Sequence, residues 1–174
     1  MKLGVAFIAV LAALGAAGSA TAVPASASVN SSINVVTPTT LTGTRDLDFG
    51  TIAKPTVGST TVTLASSAAG AATPTVSGGN GYVPTAGLAH ASTFHLIGTA
   101  GQTYSVSTTT LTFAGAAGNL ATVGTEAPVA AGGTLNTLPA GGADDVYIGG
   151  HFDISSTTAT QVYNGTLSLT INFN

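Results

Sequence analysis

The chain has 174 residues and no cysteine, and only 5% of its residues are Asp, Glu, Lys or Arg, against about 25% in an average soluble domain. Its formal net charge is −3, and its three cations are Lys2, Arg45 and Lys54. Because so few cations cannot neutralise a row of phosphates, the composition argues against nucleic acid as a partner. Without cysteine, the fold must hold without disulfide bonds.

The N-terminus is typical of a secretory signal peptide. Lys2 is followed by 15 small or apolar residues, 3–17, and small-x-small cleavage sites end at Ala22 and Ala27. This run is shorter than the about 20 residues of a membrane-spanning helix, and no second run of that length follows. We therefore expect removal of the first 22 residues, or of the first 27, no permanent membrane span, and export to the periplasm, the cell surface or the extracellular space.

Residues 23–37 are predicted to be an N-terminal extension in which apolar and polar side chains alternate. The apolar residues of one parity are Ala25, Ala27, Val29, Ile33 and Val35. A free strand of this kind can add to the sheet edge of a neighbouring subunit by β-augmentation, and the alternative is that it completes the sheet of its own chain. Residues 38–174 show no internal repeat and no shift in composition, so we expect one domain there.

Alternation of apolar and polar residues recurs beyond the signal peptide, whereas helical spacing over three turns does not, so we predict an all-β protein. The predicted strands are residues 33–36, 47–52, 60–64, 93–97, 104–107, 111–113, 120–123, 146–148 and 166–173. The last strand is the clearest, because its odd-numbered residues are apolar and its even-numbered residues are polar. We expect one face of it to be buried and the other to be solvated.

Turn residues separate the predicted strands. They lie at positions 54–55, 78–81, 100–101, 115–118, 132–133, 141–142 and 164–165. The Ala- and Gly-rich segments 66–73 and 127–133 are predicted loops, with short helical turns as the alternative. Many short strands between Gly, Pro and Asn turns favour a sandwich or a barrel, and a single β-sandwich is the simplest interpretation.

The sequence contains no motif for covalent or nucleotide chemistry. It lacks a phosphate-binding Gly-x-x-x-x-Gly-Lys-Ser/Thr loop, a Gly-x-Ser-x-Gly serine motif and any cysteine nucleophile. The triplet Asp48-Phe49-Gly50 copies a kinase motif in letters only, since the other kinase motifs are missing. We therefore expect a non-enzymatic protein with no catalytic residue and no cofactor.

Histidine and aspartate side chains are the remaining candidates for a metal site. If the fold brought them together, the three histidines with nearby aspartates, or two acidic pairs, could hold a metal ion. The residues are His90, His95 and His151 with Asp144, Asp145 or Asp153, and the pairs Asp46 with Asp48 and Asp144 with Asp145. Their spacing matches no metal motif, so we assign no metal ligand and interpret them as structural histidines and solvated turn residues.

Several stretches of the sequence resemble one known family. They are LDFGTI at residues 47–52, FHLIG at 94–98 followed by GQTYSV at 101–106, and IGG at 148–150 leading to YNGTLSLTINF at 163–173. Over most of its length after the signal peptide, the chain is similar to small secreted β-rich domains of unknown function from Gram-negative bacteria, common in proteobacteria. That family has no established catalytic residues, so the resemblance implies none here.

The C-terminal strand also resembles that of subunits of chaperone–usher fimbriae, which carry a penultimate aromatic residue where this chain has Phe173. The resemblance implies an antiparallel, immunoglobulin-like (pilin-like) β-sandwich, a periplasmic chaperone and an usher as partners, and self-association in which each subunit accepts the N-terminal strand of the next. The chain departs from the pattern in two ways. It lacks the cysteine pair of many pilins, and Gln161 stands where they carry a glycine.

The leading hypothesis is a secreted structural subunit that assembles by strand exchange into surface fibres. The residues assigned to this assembly are Val29, Ile33 and Val35 of the donor strand and Leu167, Leu169, Ile171 and Phe173 at the edge of the acceptor groove. The alternative is a monomeric envelope or extracellular binding module that recognises a glycan or a protein through its Gly-rich loops. In that case Asn80 and Tyr82 are the residues to test.

Overall fold

The computed structural model describes residues 30, 32–33, 35, 39–67, 71–109, 111–120 and 123–174. The chain divides into two units, Met1–Asn34 and Val35–Asn174, and the second contains every strand named below. Its described residues form antiparallel strands and no helix, so the prediction of an antiparallel all-β protein is confirmed. The predicted signal peptide and Val29 lie outside the described residues.

Twelve strands follow one another along the described part of the chain. They are β1 (Thr40–Arg45), β2 (Ser59–Leu64), β3 (Thr75–Ser77), β4 (Ser92–Ile97), β5 (Tyr104–Thr108), β6 (Ala114–Gly115), β7 (Gly118–Asn119), β8 (Val123–Thr125), β9 (Val129–Ala130), β10 (Ala143–Ile148), β11 (Gly150–Ser155) and β12 (Leu169–Phe173). They form two four-stranded sheets, of order β1-β4-β10-β9 and β3-β2-β11-β8, and two strand pairs.

Two of the edge strands, β1 and β12, lie next to the segments that form the groove described in the next section. β12 pairs with β5, from Leu169 opposite Thr108 to Phe173 opposite Tyr104. β1 pairs with β4, and this ladder is irregular between Gly43 and Arg45. Among the described strands, β1 and β12 therefore have one neighbour each.

The chain passes from the first sheet to the second at Gly149. β10 pairs with β4 as far as Ile148, and β11 begins opposite Leu64 of β2. A Cβ atom at Gly149 would collide with the carbonyl oxygen of Leu64. Glycine is therefore needed where the strand turns this corner between sheets.

Two apolar clusters hold the described strands together. The first is centred on Leu96, Tyr104 and Leu138, and half-buried side chains of β1, β5 and β12 pack around it. The second joins β2 and β11 to the segments that connect the strands, and its buried members are Phe49, Val62, Leu64, Ala89, Leu120, Phe152 and Ile154. Alternate residues of β2 and β11 enter this cluster, as the two-residue period of a strand requires.

The predicted strands 60–64, 93–97, 104–107 and 146–148 are confirmed as β2, β4, β5 and β10. The final strand is confirmed from Leu169 onward, with its odd-numbered residues half-buried and its even-numbered residues exposed. Half of the predicted strand 33–36, residues 34 and 36, lies outside the described residues. In the predicted strand 120–123, residues 121–122 lie outside them as well, Leu120 belongs to no strand, and Val123 begins β8.

Other sequence predictions are wrong. Residues 47–52 form no strand, since only Asp48 makes an isolated bridge there, and residues 111–113 form none either. Apolar and polar residues alternate in both segments because one face of each is buried. Neither segment is a strand, because no described strand pairs with it over more than one residue pair. The turn predicted at 164–165 is also absent, because Asn164 exchanges backbone hydrogen bonds with Ala114.

Candidate functional site

A groove of about 1030 Å³ opens in the second unit. One wall is the segment 43–54, which begins in β1, and the other is the segment 158–167, between β11 and β12. Large apolar side chains line it, namely Leu47, Phe49, Phe94, Leu111, Phe113, Leu120, Phe152 and Ile154. Several of these side chains also belong to the second apolar cluster, so the groove reaches into the core.

Three phenylalanine rings form the centre of the groove floor. The ring centroids of Phe49 and Phe152 lie 4.9 Å apart, and Phe113 lies 5.8 Å from Phe49 and 6.0 Å from Phe152. The ring planes are near perpendicular, at 76° to 83°. Edge-to-face pairs of this kind contribute about 0.5–1.5 kcal/mol each beyond the burial of their area. The floor is thus a packed aromatic surface, in which Phe49 and Phe152 are almost entirely buried and Phe113 is half-buried.

The first wall has backbone groups that make few bonds. Asp48 exchanges both backbone hydrogen bonds with His90, at 3.0 and 2.8 Å, and Ala53 does so with Tyr82, at 2.8 and 3.1 Å. In the stretch between Asp48 and Ala53, the backbone of residues 49–52 makes one hydrogen bond to a described residue. The Gly50 N–H donates it to the Asp48 side-chain carboxylate at 2.7 Å. Within the part of the chain that the structure describes, this stretch therefore contains backbone donors and acceptors without partners.

The second wall is paired on one side only. Asn164 exchanges backbone bonds with Ala114 at 2.7 and 2.9 Å, and the Ser168 carbonyl accepts from the Thr109 N–H at 3.0 Å. The Gln161 side chain accepts from the Ala117 N–H and so fixes the same side. No described strand pairs with the opposite side of this wall or with the outer edge of β12.

The groove therefore combines the two features that strand addition uses. Unpaired backbone groups along its walls offer hydrogen bonds to an extended peptide, and an apolar floor offers pockets for alternate side chains. The walls run in opposite directions. The end of the first wall meets the start of the second, because the Lys54 ammonium donates to the Thr158 carbonyl oxygen. Conversely, the start of the first wall lies near the end of the second, because Leu41 and Ile171, which flank those two points, pack on the same apolar cluster.

The residues assigned to assembly from the sequence have different positions. Leu167 lines the groove. Ile171 and Phe173 instead pack against the cluster around Tyr104, where the Phe173 ring lies 5.9 Å from the Tyr104 ring, and Leu169 is half-buried on the same face of β12. In the N-terminal segment, Ile33 is 88% and Val35 83% exposed.

The sequence interpretation missed the aromatic floor. The three phenylalanines that form it are spread over about a hundred positions of the chain, from Phe49 to Phe152, and nothing local indicates that they meet. The one signal was an inward-facing Phe49 between the exposed Asp48 and Gly50. The positions of Phe113 and Phe152 beside it follow from the order of strands in the sheets, which alternation does not specify.

The three histidines each bond a separate partner through Nδ1. His90 lies 2.9 Å from the Asp46 carbonyl, and His95 and His151 each lie 2.7 Å from a carboxylate oxygen, of Asp145 and Glu126 respectively. Within the described residues, no three His, Asp or Glu side chains are grouped so that they could hold a metal ion.

The acidic pair at 144–145 does not converge on one site. Asp144 is buried and Asp145 is half-exposed. Neighbouring residues of a strand point to opposite faces, so the two carboxylates of β10 lie on different sides of the sheet.

The two residues of the binding-module alternative also differ in their surroundings. Both ends of the Asn80 side-chain amide are engaged, since its oxygen accepts from the Thr56 N–H and its nitrogen donates to the Thr56 hydroxyl, each at 2.8 Å. The amide therefore joins two loops. Tyr82 is exposed, and its backbone pairs with Ala53 at the first wall of the groove.

Tyr104 of β5 and Asp144 of β10 form a buried pair. The phenol O–H of Tyr104 points to an Asp144 carboxylate oxygen at 3.4 Å, and both residues are buried. Burial raises the pKa of the Tyr104 phenol, and the charge of Asp144 raises it further. The unfolded chain therefore releases this proton at a lower pH, near 10.

The stability of the protein should consequently fall as the pH rises above about 10, because the folded state holds the Tyr104 proton longer than the unfolded state does. We expect Tyr104→Phe to reduce this fall and to lower the free energy of unfolding at neutral pH by less than about 1 kcal/mol, since the lost hydrogen bond is long. Urea denaturation at about pH 8 and about pH 11 measures both effects. Tyr82→Phe, which removes an exposed hydroxyl, is the control, and an unchanged alkaline fall in Tyr104→Phe contradicts the assignment.

No stretch of the described residues forms a helix that is long and apolar enough to cross a membrane. The described residues of 39–174 form antiparallel β-strands, and a groove with an apolar floor opens between two of the connecting segments. Residues 39–173 match the family described as Domain of unknown function (DUF4402), and the chain belongs to this family. No curated protein and no solved structure is significantly similar to it.

Proposed function

We propose that the protein is a secreted, non-enzymatic structural subunit with an immunoglobulin-like, fimbria-like domain, which assembles with further copies by strand exchange. A signal peptide of 22 or 27 residues directs it out of the cytoplasm, and a periplasmic chaperone and an usher assist its assembly at the surface of a Gram-negative cell. The groove accepts residues 23–37 of a second copy. The alternating pattern of that segment and the shape of the groove together support this proposal.

The observation that carries the proposal is the open groove itself. Its floor is apolar, with Phe113 half-buried and Phe152 and Leu120 almost entirely buried, and a volume of about 1030 Å³ stays open above it. Both walls contain backbone groups that have no partner among the described residues. A single extended segment between the walls would satisfy those groups and cover the aromatic rings at the same time.

The N-terminal segment has the chemistry that this groove requires. Val29, Ile33 and Val35 would all point towards the floor, because they have the same parity in an extended strand. The other residues between positions 29 and 35 are Asn or Ser, which carry no charge into the groove. In the described structure Ile33 and Val35 are exposed, so both side chains are free to be buried in an assembly.

The proposal is tested with charge substitutions on the two faces of the segment. In the chain that begins at residue 23, we expect Ile33→Asp with Val35→Asp to prevent assembly, since each inward carboxylate would be buried without a partner. Ser32→Asp with Asn34→Asp adds the same charge on the outward face and should assemble as the parent does. Size-exclusion chromatography and negative-stain microscopy measure the outcome.

Two results would contradict the proposal. One is equal assembly of the parent and both double variants, which would show that the face of the segment is irrelevant. The other is a parent chain that stays folded and monomeric at high concentration, which would favour the binding module instead.

A further inference from the structure

The large apolar side chains that the domain leaves exposed are concentrated beside one end of the groove. Among the described residues of 39–174, four such side chains are more than half exposed, and we call them the rim patch: Val57, Tyr82, Leu88 and Val162. Single exposed apolar residues are ordinary, but a group beside one site marks a contact surface.

Two members of the rim patch lie along the first wall. Tyr82 pairs through its backbone with Ala53. The Leu88 Cβ atom is 3.9 Å from the position that a Cβ atom on Gly50 would take. Both side chains therefore flank the second half of the wall 43–54.

The other two members are linked through Lys54. Its ammonium donates to the carbonyl oxygens of Ser156 and Thr158, at 3.0 and 2.9 Å, and so joins the end of the first wall to the start of the second. Val57 follows Lys54 by three residues, and Val162 follows Thr158 by four. The rim patch thus lies along the half of the groove nearer Lys54, with Val162 in the second wall itself.

The opposite end of the groove is polar. Gly43, Arg45 and Asp46 are exposed on the first wall there, and Thr166 is exposed on the second. The two ends therefore offer different surfaces to a neighbouring domain, one apolar and one charged.

The length of the donor segment requires that two domains touch. Val35 and the first residue of β1, Thr40, are five residues apart, a distance of at most about 18 Å even when the chain is extended. If Val35 lies in the groove of another copy, its own domain must abut the end of that groove. Burial of apolar surface makes the rim patch the favourable end for this contact.

We propose that the rim patch binds the domain of the copy that donates the segment. The donor segment then lies with Val35 towards Lys54 and with Val29 towards Arg45. This inference rests on the proposed strand exchange, but it assigns a further surface to the contact between the two domains, since Val57, Tyr82 and Leu88 lie outside the lining of the groove.

Charge substitutions in the rim patch test the contact. We expect Val57→Glu and Leu88→Glu, at two rim residues outside the groove lining, each to slow assembly of the chain from residue 23 at least about tenfold, with the midpoint of urea unfolding unchanged. Val76→Glu, an exposed valine of β3 away from the groove, is the matched control and should assemble at the parental rate. If the parent assembles and the rim variants assemble equally fast, the rim inference is wrong while strand exchange stands.

Cross-linking tests the direction of the segment, because the chain has no cysteine of its own. A Val35→Cys chain is mixed under oxidising conditions with a Thr51→Cys chain or with an Arg45→Cys chain. A disulfide needs Cα atoms within about 7 Å, and positions 45 and 51 are about 20 Å apart along an extended wall. We expect Val35→Cys to form a disulfide-linked dimer with Thr51→Cys. A linked dimer with Arg45→Cys alone would overturn the inferred direction. A parent chain that never assembles would instead overturn the proposed strand exchange, on which the inference rests.

Discussion

A chain that begins at residue 38 and carries residues 23–37 behind Asn174, through a short flexible linker, should be a monomer that unfolds about 10 °C or more above the same chain without the appended segment. Val29, Ile33 and Val35 would then cover the groove of their own domain, and burial of three such side chains contributes about 5 kcal/mol. In a domain of this size, 1 kcal/mol corresponds to about 2–4 °C in the unfolding midpoint. Differential scanning calorimetry measures the shift.

The geometry favours this fusion. β12 ends at Phe173, on the cluster that also holds Leu41 just before the first wall, so the appended segment would enter the groove at its polar end. That direction agrees with the one inferred from the rim patch. The control carries the same segment with Val29→Ser, Ile33→Ser and Val35→Ser, and an equal midpoint in the two fusions would refute the role of these side chains.

Phe152→Ala should lower the free energy of unfolding by about 3–5 kcal/mol, the range for loss of a large buried side chain. Its ring contacts both Phe49 and Phe113 and is nearly fully buried. The same variant should also weaken docking of a donor segment, because the centre of the groove floor is lost. Urea denaturation gives the first effect, and the rate of assembly gives the second.

Phe94→Ala is the matched control for this substitution. Phe94 also lines the groove, but it is half-buried and has no ring contact with another described aromatic residue. We expect a clearly smaller loss of stability. Equal losses in the two variants would mean that the three-ring cluster has no special part in the floor.

The sequence predicts the strands of this fold where one face is buried and a partner strand lies beside it. β2, β4, β5 and β10 satisfy both conditions and were predictable from alternation. β1 and β3 were missed because almost all of their side chains are exposed, so neither shows an apolar face. β11 was also missed, although Phe152 and Ile154 alternate there with polar residues, because it offers only two large apolar side chains.

The candidate site was predictable only in outline. Alternation in residues 23–37 and in the last strand indicated a donor, and an acceptor edge at Leu167, Leu169, Ile171 and Phe173. Of these, Leu167 lines the groove, whose second wall is residues 158–167, whereas Ile171 and Phe173 pack on the cluster around Tyr104. The groove walls are segments with few backbone bonds, and that property depends on the neighbours that the fold provides, which a local pattern does not contain.

Amide hydrogen exchange reports strand addition directly, because an added strand must pair with the walls of the groove. The measurement compares the assembled chain with its monomeric Ile33→Asp, Val35→Asp variant. We expect amides of residues 49–52 and 165–167 to exchange much more slowly in the assembly, whereas those of β2 and β11, already paired, change little. Equally fast exchange of the wall amides in both forms would contradict strand addition.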